Sequence, residues 1–197
     1  ITGPHSPDRA RPISELAAEI KEHNFPERVS AALVGSCTNS SYEDMSRCAD
    51  LAEQAISKGL KAATPFMVTP GSEQVLATIE RDGQQASLEN IGATVLANAC
   101  GPCIGQWRRA EASDGTPNAI VTSYNRNFPK RNDGHTGTMN FISSPELALA
   151  MSLSGKLSFN PLVDTITAPD GTEVKLNPPK PAPEIPANGF EQGQNYY

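Results

Sequence analysis

The chain has only four cysteines in 197 residues, too few for a disulfide-knit scaffold. It contains no run of eighteen apolar residues, so no helical membrane span is expected. Basic residues are in the minority, 16 Lys and Arg against 22 Asp and Glu. The resulting net charge of −6 argues against nucleic acid or an anionic membrane as the main partner. Only three histidines occur (His5, His23 and His135), and they show no paired spacing of the kind a zinc site uses. Aromatics make up 6% of the residues, and no internal repeat is visible. The first residues lack the basic and apolar regions of a secretory leader, and the chain opens on Ile1 rather than Met. The expectation is a piece of a longer protein.

What is present suits a folded domain. A chain of this length can bury about 70% of its unfolded surface, and 38% of its residues are hydrophobic. Pro12-Ile13-Ser14 opens an amphipathic stretch with Ile13, Leu16, Ala17 and Ile20 at helical spacing, ending near Asn24. Val29 to Gly35 is a short apolar run of buried-strand type. Ser41 to Gly59 reads as a helix with early acids, carrying Met45, Cys48, Ala49, Ala52 and Ile56 inward. Strands are expected at 65–68, 91–97 and 119–123. Further helices are expected from Ser72 to about Arg81, ended by Asp82-Gly83, and from Ser144-Pro145 to Gly155.

Strands alternating with helices predict a three-layer α/β fold, an open and mainly parallel sheet with helices on both faces. The tail, 177–197, holds Pro178, Pro179, Pro181, Pro183 and Pro186. It reads as an extended segment lying on a surface or leading into a linker, which leaves 1–176 as the domain.

Three of the strands run into chemistry-bearing loops. The first leads to Ser36-Cys37-Thr38-Asn39, the third to Cys100-Gly101-Pro102-Cys103-Ile104-Gly105, and the fourth to Asn125-Arg126 and on to Lys130-Arg131. Ligands of open α/β sheets sit beyond the carboxyl ends of the strands, so a site is expected there.

Cys48 falls on the apolar side of its helix and reads as a core filler. Cys100-x-x-Cys103 by itself is open to several readings: a redox dithiol, half of a zinc site, ligands of an iron–sulfur cluster, or a plain disulfide. Three loop thiolates with no fourth are what a cubane with one differentiated iron would need. That iron would keep open positions and act as a Lewis acid toward a hydroxyl leaving group. Without further context, Arg126 and Arg131 would pass as solvated surface charges, His135 as an exposed loop residue, and the Asn39-Ser40-Ser41 sequon as chance.

Three segments carry a resemblance: Gly35-Ser36-Cys37-Thr38-Asn39-Ser40-Ser41-Tyr42-Glu43-Asp44-Met45, Ala99-Cys100-Gly101-Pro102-Cys103-Ile104-Gly105-Gln106-Trp107, and Thr122-Ser123-Tyr124-Asn125-Arg126-Asn127-Phe128. Together with the 63-residue step from Cys37 to Cys100, Gly3-Pro4, Pro7-Asp8 and Gln192-Gly193-Gln194, they closely resemble the aconitase family of mitochondrial type. Members of that family are about four times longer and have four domains, so the resemblance identifies this chain with the third alone.

The resemblance implies a [4Fe–4S] cluster held by Cys37, Cys100 and Cys103. It implies carboxylate binding by Arg126 and Arg131, and Asn125 beside the cluster. The implied reaction is interconversion of the tricarboxylates citrate and isocitrate through cis-aconitate. The implied partners are the remaining aconitase domains, one of which supplies the serine base. The isolated chain is therefore expected to be inactive, and the implied location is the mitochondrion.

The chain departs from the family pattern at Gly134 to Asn140 and at Arg108-Arg109. The changed loop admits a homocitrate- or homoaconitate-type hydratase. Two further alternatives are a non-enzymatic thiol or zinc domain, and RNA binding of the kind seen in a cytosolic branch of the family, against which the net charge argues.

Overall fold

The structure, a computed structural model, describes residues 1–98 and 100–193. Among the described residues, five helices and seven strands follow the order α1 (Ile13–His23), β1 (Val29–Val34), α2 (Tyr42–Ser57), β2 (Phe66–Val68), α3 (Glu73–Asp82), α4 (Gln84–Asn90), β3 (Ala93–Val95), β4 (Asn118–Thr122), β5 (Thr138–Ile142), α5 (Pro145–Ser154), β6 (Ile166–Thr167) and β7 (Glu173–Val174). Two 3₁₀ helices, Gly101–Ile104 and Ala110–Ala112, lie between β3 and β4.

Local chemistry sets most of these limits. Ser41 caps α2 through a reciprocal box with Asp44, and Ser72 and Ser144 accept from the backbone N–H of Val75 and Leu147. Pro145 occupies the first turn of α5, where its missing N–H costs nothing, and Gly155 ends that helix in the left-handed region at φ 71°.

β1 to β5 form one parallel sheet in the order β3-β2-β1-β4-β5. The register aligns Ala93, Phe66, Ala32, Val121 and Phe141 across all five strands. That row, with Val29, Val34, Val68 and Ala119, faces a core closed by Leu16, Met45, Cys48, Ile79, Leu88, Leu149 and Met151 from the five helices. The opposite face carries Ala31, Leu33, Met67 and Ile120, against which Cys103, Tyr124 and Trp107 pack. The fold is thus the expected three-layer α/β class, with a thin second layer built from the 3₁₀ segment and the loop after β4.

Several details differ from the sequence reading. Asp82-Gly83 does not release the chain into a loop; Gly83, at φ 93°, ends α3 and starts α4. β5 was not expected, because its run Thr138-Met139-Asn140-Phe141-Ile142 puts an amide in the middle of a strand. The fold accommodates it: Asn140 is buried and its Oδ1 accepts from Thr122 Oγ1 at 3.0 Å on the neighbouring strand. Ile56, expected inward, is exposed. Ala55 takes the inward position of the last turn, and Leu60 folds back to cover that end with its N–H on the Ala55 carbonyl. β6 and β7 form a short antiparallel pair that the sequence reading did not mark.

The tail lies along α2 and α3. Asn177 N–H donates to Gln54 and Lys180 pairs with Asp50. Further on, Glu191 N–H donates to Thr78, Arg81 pairs with Glu191, and Phe190 packs edge-on against Tyr42. No helix among the described residues is long and apolar enough to cross a membrane.

Candidate functional site

The strand order reverses direction between β1 and β4. From β1 the chain builds outward through β2 to β3, and from β4 it builds the other way to β5. Loops leaving neighbouring strands toward opposite sides open a crevice between them, the usual ligand position in such sheets. The loop after β1 carries Cys37, and the loop after β4 carries Asn125 and Arg126. The segment after β3 starts at the far edge of the sheet and crosses β2 to reach the same crevice, where Cys103 packs over Ala31, Leu33, Ile120 and Tyr124.

The Cys37 loop is tightly held. Gly35 has φ 85°, and a Cβ there would lie 2.1 Å from the Thr69 carbonyl oxygen, so only glycine fits. Gly35 N–H donates to Ser123 Oγ at 2.8 Å, and Asn39 Nδ2 donates to the Ser123 carbonyl at 2.8 Å. Ser123, the first residue past β4, therefore ties the first loop to the third. Ser40 is buried and donates to the Ser36 carbonyl. Cys37 itself projects to solvent.

Cys100 sits at the head of the first 3₁₀ helix and is exposed, whereas Cys103 is buried. Cys103 N–H donates to the Cys100 carbonyl at 2.8 Å, which curls the two thiols onto one turn. None of the four cysteines forms a disulfide, and Cys48 lies in the main core, where burial pushes its thiol pKa up. Ala99, inside the motif, and Gln194 lie outside the described residues.

Arg126 and Asn125 are exposed on the rim. With Tyr124, Asn127, Phe128, Thr2, Pro7 and Ile142 they line a cavity of about 430 Å³, within the range that takes small ligands. Larger cavities of about 700 and 730 Å³ lie beside Ser154–Thr167 and beside Lys58 and Glu173, away from the thiols and the loop arginines. Arg131 is half-buried, and its guanidinium stacks over the Phe128 ring at 5.2 Å. Tyr124 is buried behind them, and burial, followed by the nearby Cys103, raises its hydroxyl pKa and keeps it neutral.

Residues that the sequence reading passed over bind these loops together. Asn132 is buried and donates from Nδ2 to the Pro102 carbonyl at 3.1 Å. Gly105 faces the Arg131 carbonyl, 3.2 Å from where a Cβ would stand. Arg109, noted in the sequence only as a departure, is buried, stacked on Trp107 and paired with Asp133. It also donates to Ser30 and Asn118. In the sequence, Asn132-Asp133 look like ordinary loop residues; only their burial marks them.

The altered segment Gly134 to Asn140 comprises the turn before β5 and the first three residues of that strand, Thr138 to Asn140. In a parallel sheet the turn before β5 lies at the edge where the strands start, while the carbonyl of Asn140 further along accepts from Asn127 Nδ2 of the arginine-bearing loop at 2.6 Å.

The donor set suits a thiolate-held cluster. The three thiols are free, lie in the segments that follow β1 and β3, and have small neighbours. Asn98, two residues before Cys100, has both amide atoms shielded and without a hydrogen-bond partner among the described residues. Among the described residues, no three His, Cys, Asp or Glu side chains gather around a single ion position. A multi-iron cluster presents separate irons to separate thiolates, so its ligands need not meet at a point.

The sequence is similar to known proteins along its whole length. A family model described as "Aconitase family (aconitate hydratase)" matches residues 1–155. A homocitrate dehydratase, mitochondrial, of Saccharomyces cerevisiae is 54% identical over all of this chain and 25% of its own length. Mitochondrial aconitate hydratases of Emericella nidulans and Aspergillus fumigatus are 53% and 52% identical, again over all of this chain and 25% of their own lengths. The chain therefore spans about a quarter of the length of the curated relatives it matches. With a family model covering most of its residues and relatives matching all of it, the chain belongs to the aconitase family.

Proposed function

We propose that this chain is the cluster-bearing domain of an aconitate hydratase, a hydro-lyase that interconverts citrate and isocitrate through cis-aconitate. What supports the reading is topology: the loop bearing Cys37 follows β1, the loop bearing Arg126 follows the neighbouring strand β4, and Cys103 packs on Leu33 and Ile120 of those two strands. Residues 1–176 would be the domain and 177–197 a lead into a linker, a division supported by the way the tail lies along α2 and α3 as far as Glu191. The names of the relatives support a mitochondrial location.

Cys37, Cys100 and Cys103 would hold a [4Fe–4S] cluster, which when bound supplies a Lewis-acidic iron for a substrate hydroxyl. The chain's own residues do the rest of its share. Arg126 and Arg131 offer permanent cations in planar forks, suited to the carboxylates of a tricarboxylate. This local positive loop on an acidic chain draws the anionic substrate to one edge. Stacking on Phe128 restrains the Arg131 fork before substrate arrives, which reduces the ordering cost of binding. Asn125, exposed on the same loop, would lie beside the cluster by the family resemblance. Tyr124 and Trp107 pack against the buried thiol and shield it from water.

The remaining aconitase domains supply the base and further carboxylate contacts, so this chain alone has negligible hydratase activity. The test is anaerobic reconstitution with ferrous iron and sulfide, followed by visible and EPR spectra. Replacing Cys37, Cys100 or Cys103 with Ser abolishes the cluster signal, and replacing Cys48 leaves it. Uptake of zinc alone, or a signal that survives loss of Cys37, would overturn the reading. A homocitrate-type substrate is a second reading, favoured by the relative that is 54% identical. Binding of homocitrate in preference to citrate by the reconstituted full-length protein would select it.

A further inference from the structure

We propose that Asn132 is a positioning residue that locks the arginine-bearing loop onto the thiol-bearing loop, giving Arg131 and Cys103 one fixed spacing. This rests on the proposed reading of the site. Asn132 is 3% exposed and follows Arg131 directly. Its Nδ2 donates at 3.1 Å to the carbonyl of Pro102, the carbonyl of the peptide bond that continues into Cys103. A rotation of that peptide therefore moves the Cys103 thiol and breaks the Asn132 bond together. On the other side of the turn, the Arg131 carbonyl lies against Gly105, so the two loops touch on both flanks of Cys103.

The adjacent residue closes the arrangement. Asp133 pairs with Arg109, which comes from the same stretch of chain as the two thiols. The arginine loop is thus pinned twice to one segment, once by a neutral hydrogen bond near the site and once by a buried ion pair farther away. A buried donor that loses its acceptor costs free energy, as does an acceptor that loses its donor. The pin at Asn132 therefore holds against local opening of the Cys103 turn.

The lock can be tested without metal on the full 197-residue chain. Iodoacetamide labelling is followed at each cysteine by mass spectrometry for the native chain, Asn132→Ala and Asn132→Asp. Asp keeps the shape and removes the Nδ2 donor. Both variants are expected to label Cys103 about tenfold faster or more, while Cys48 stays as slow as in the native chain. Unchanged Cys103 labelling would overturn the proposal. So would Cys48 accelerating in step with Cys103, which means general loosening, or an effect of Ala without an effect of Asp, which means lost packing.

A second arm tests the coupling to Arg131. Citrate is titrated against the EPR signal of the reconstituted chain. Asn132→Ala is expected to raise the half-saturating citrate concentration about tenfold at unchanged iron content, and to add nothing on top of Arg131→Ala. Full additivity of the two would overturn the proposal. If the native chain takes up no cluster, the proposed function fails, while the labelling result still decides the lock.

Discussion

The Arg109 guanidinium and the Asp133 carboxylate meet at 3.3 Å, with only 2% and 1% of their side-chain surfaces exposed. The pair sits at the edge of the sheet opposite the thiols, beside Ser30 near the start of β1, Asn118 at the start of β4 and Thr138 at the start of β5. It joins the two loops that together cover the second face of the sheet.

Breaking such a pair from one side strands a buried charge. Asp133→Ala is expected to cost about 3–5 kcal/mol in urea unfolding of the chain. It would also orphan the Thr138 hydroxyl, which donates to Asp133 at 2.6 Å. The double variant Arg109→Met with Asp133→Leu is expected to lose less than the single one, because no uncompensated charge remains. Comparison of the two midpoints checks this.

Gly35→Ala is expected to destabilise the chain by at least about 1–3 kcal/mol, the scale of a strained left-handed backbone position. It adds a clash with the Thr69 carbonyl, only 2.1 Å from the new methyl. Gly83→Ala is the control, since its φ of 93° is equally unfavourable but nothing lies within 4 Å of its Cβ position. The difference between the two unfolding free energies isolates the close approach that shapes the Cys37 loop.

Removing a site arginine is expected to weaken citrate binding by the reconstituted chain roughly 10- to 100-fold, the scale of about 1.5–3 kcal/mol for a charged hydrogen bond. Arg131→Lys keeps the charge but loses both the fork and the stacking on Phe128. It is expected to fall nearer to Arg131→Ala than to the native chain. Arg126→Ala acts at the rim of the 430 Å³ cavity. A titration monitored by EPR measures all three.

The tail should loosen in acid. Burial works to raise the Asp50 carboxyl pKa, but hydrogen bonds from Gln54 and Lys180, with the Lys180 charge, outweigh it and hold it below the usual carboxylate range. A depressed carboxylate stabilises the folded form above its unfolded pKa of about 4, and that contribution is lost as pH falls through the lower folded value. Proteolysis of the stretch 177–193 by an acid-active protease is expected to accelerate below about pH 4, and Asp50→Asn is expected to remove that pH dependence.

Much of the fold was legible because its signals are local. Ser41 with Asp44, Ser144 with Pro145, and Gly155 mark helix ends by satisfying orphan backbone groups within one turn, so the sequence carries them openly. The position of Cys48 on an apolar helical stripe foretold its complete burial. β5 was hidden because Asn140 interrupts its apolar pattern, and its acceptability depends on Thr122, a hydroxyl on another strand.

The chemistry divides in the same way. Residue types and spacings drew attention to Cys37, Cys100 and Cys103, in loops past recognisable strands, whereas Arg126 and Arg131 were marked as binding residues only by the family resemblance. Whether those loops share one crevice was a question of strand order. The reversal between β1 and β4 brings the loops after them together, and the long crossing from β3 delivers Cys103 over Leu33 and Ile120. The parts played by Asn132, Asp133 and Arg109 had no local mark at all. A polar side chain in a loop reads as solvated until the fold removes the water, and only then does its hydrogen-bond partner, often 24 or more residues away, become obligatory.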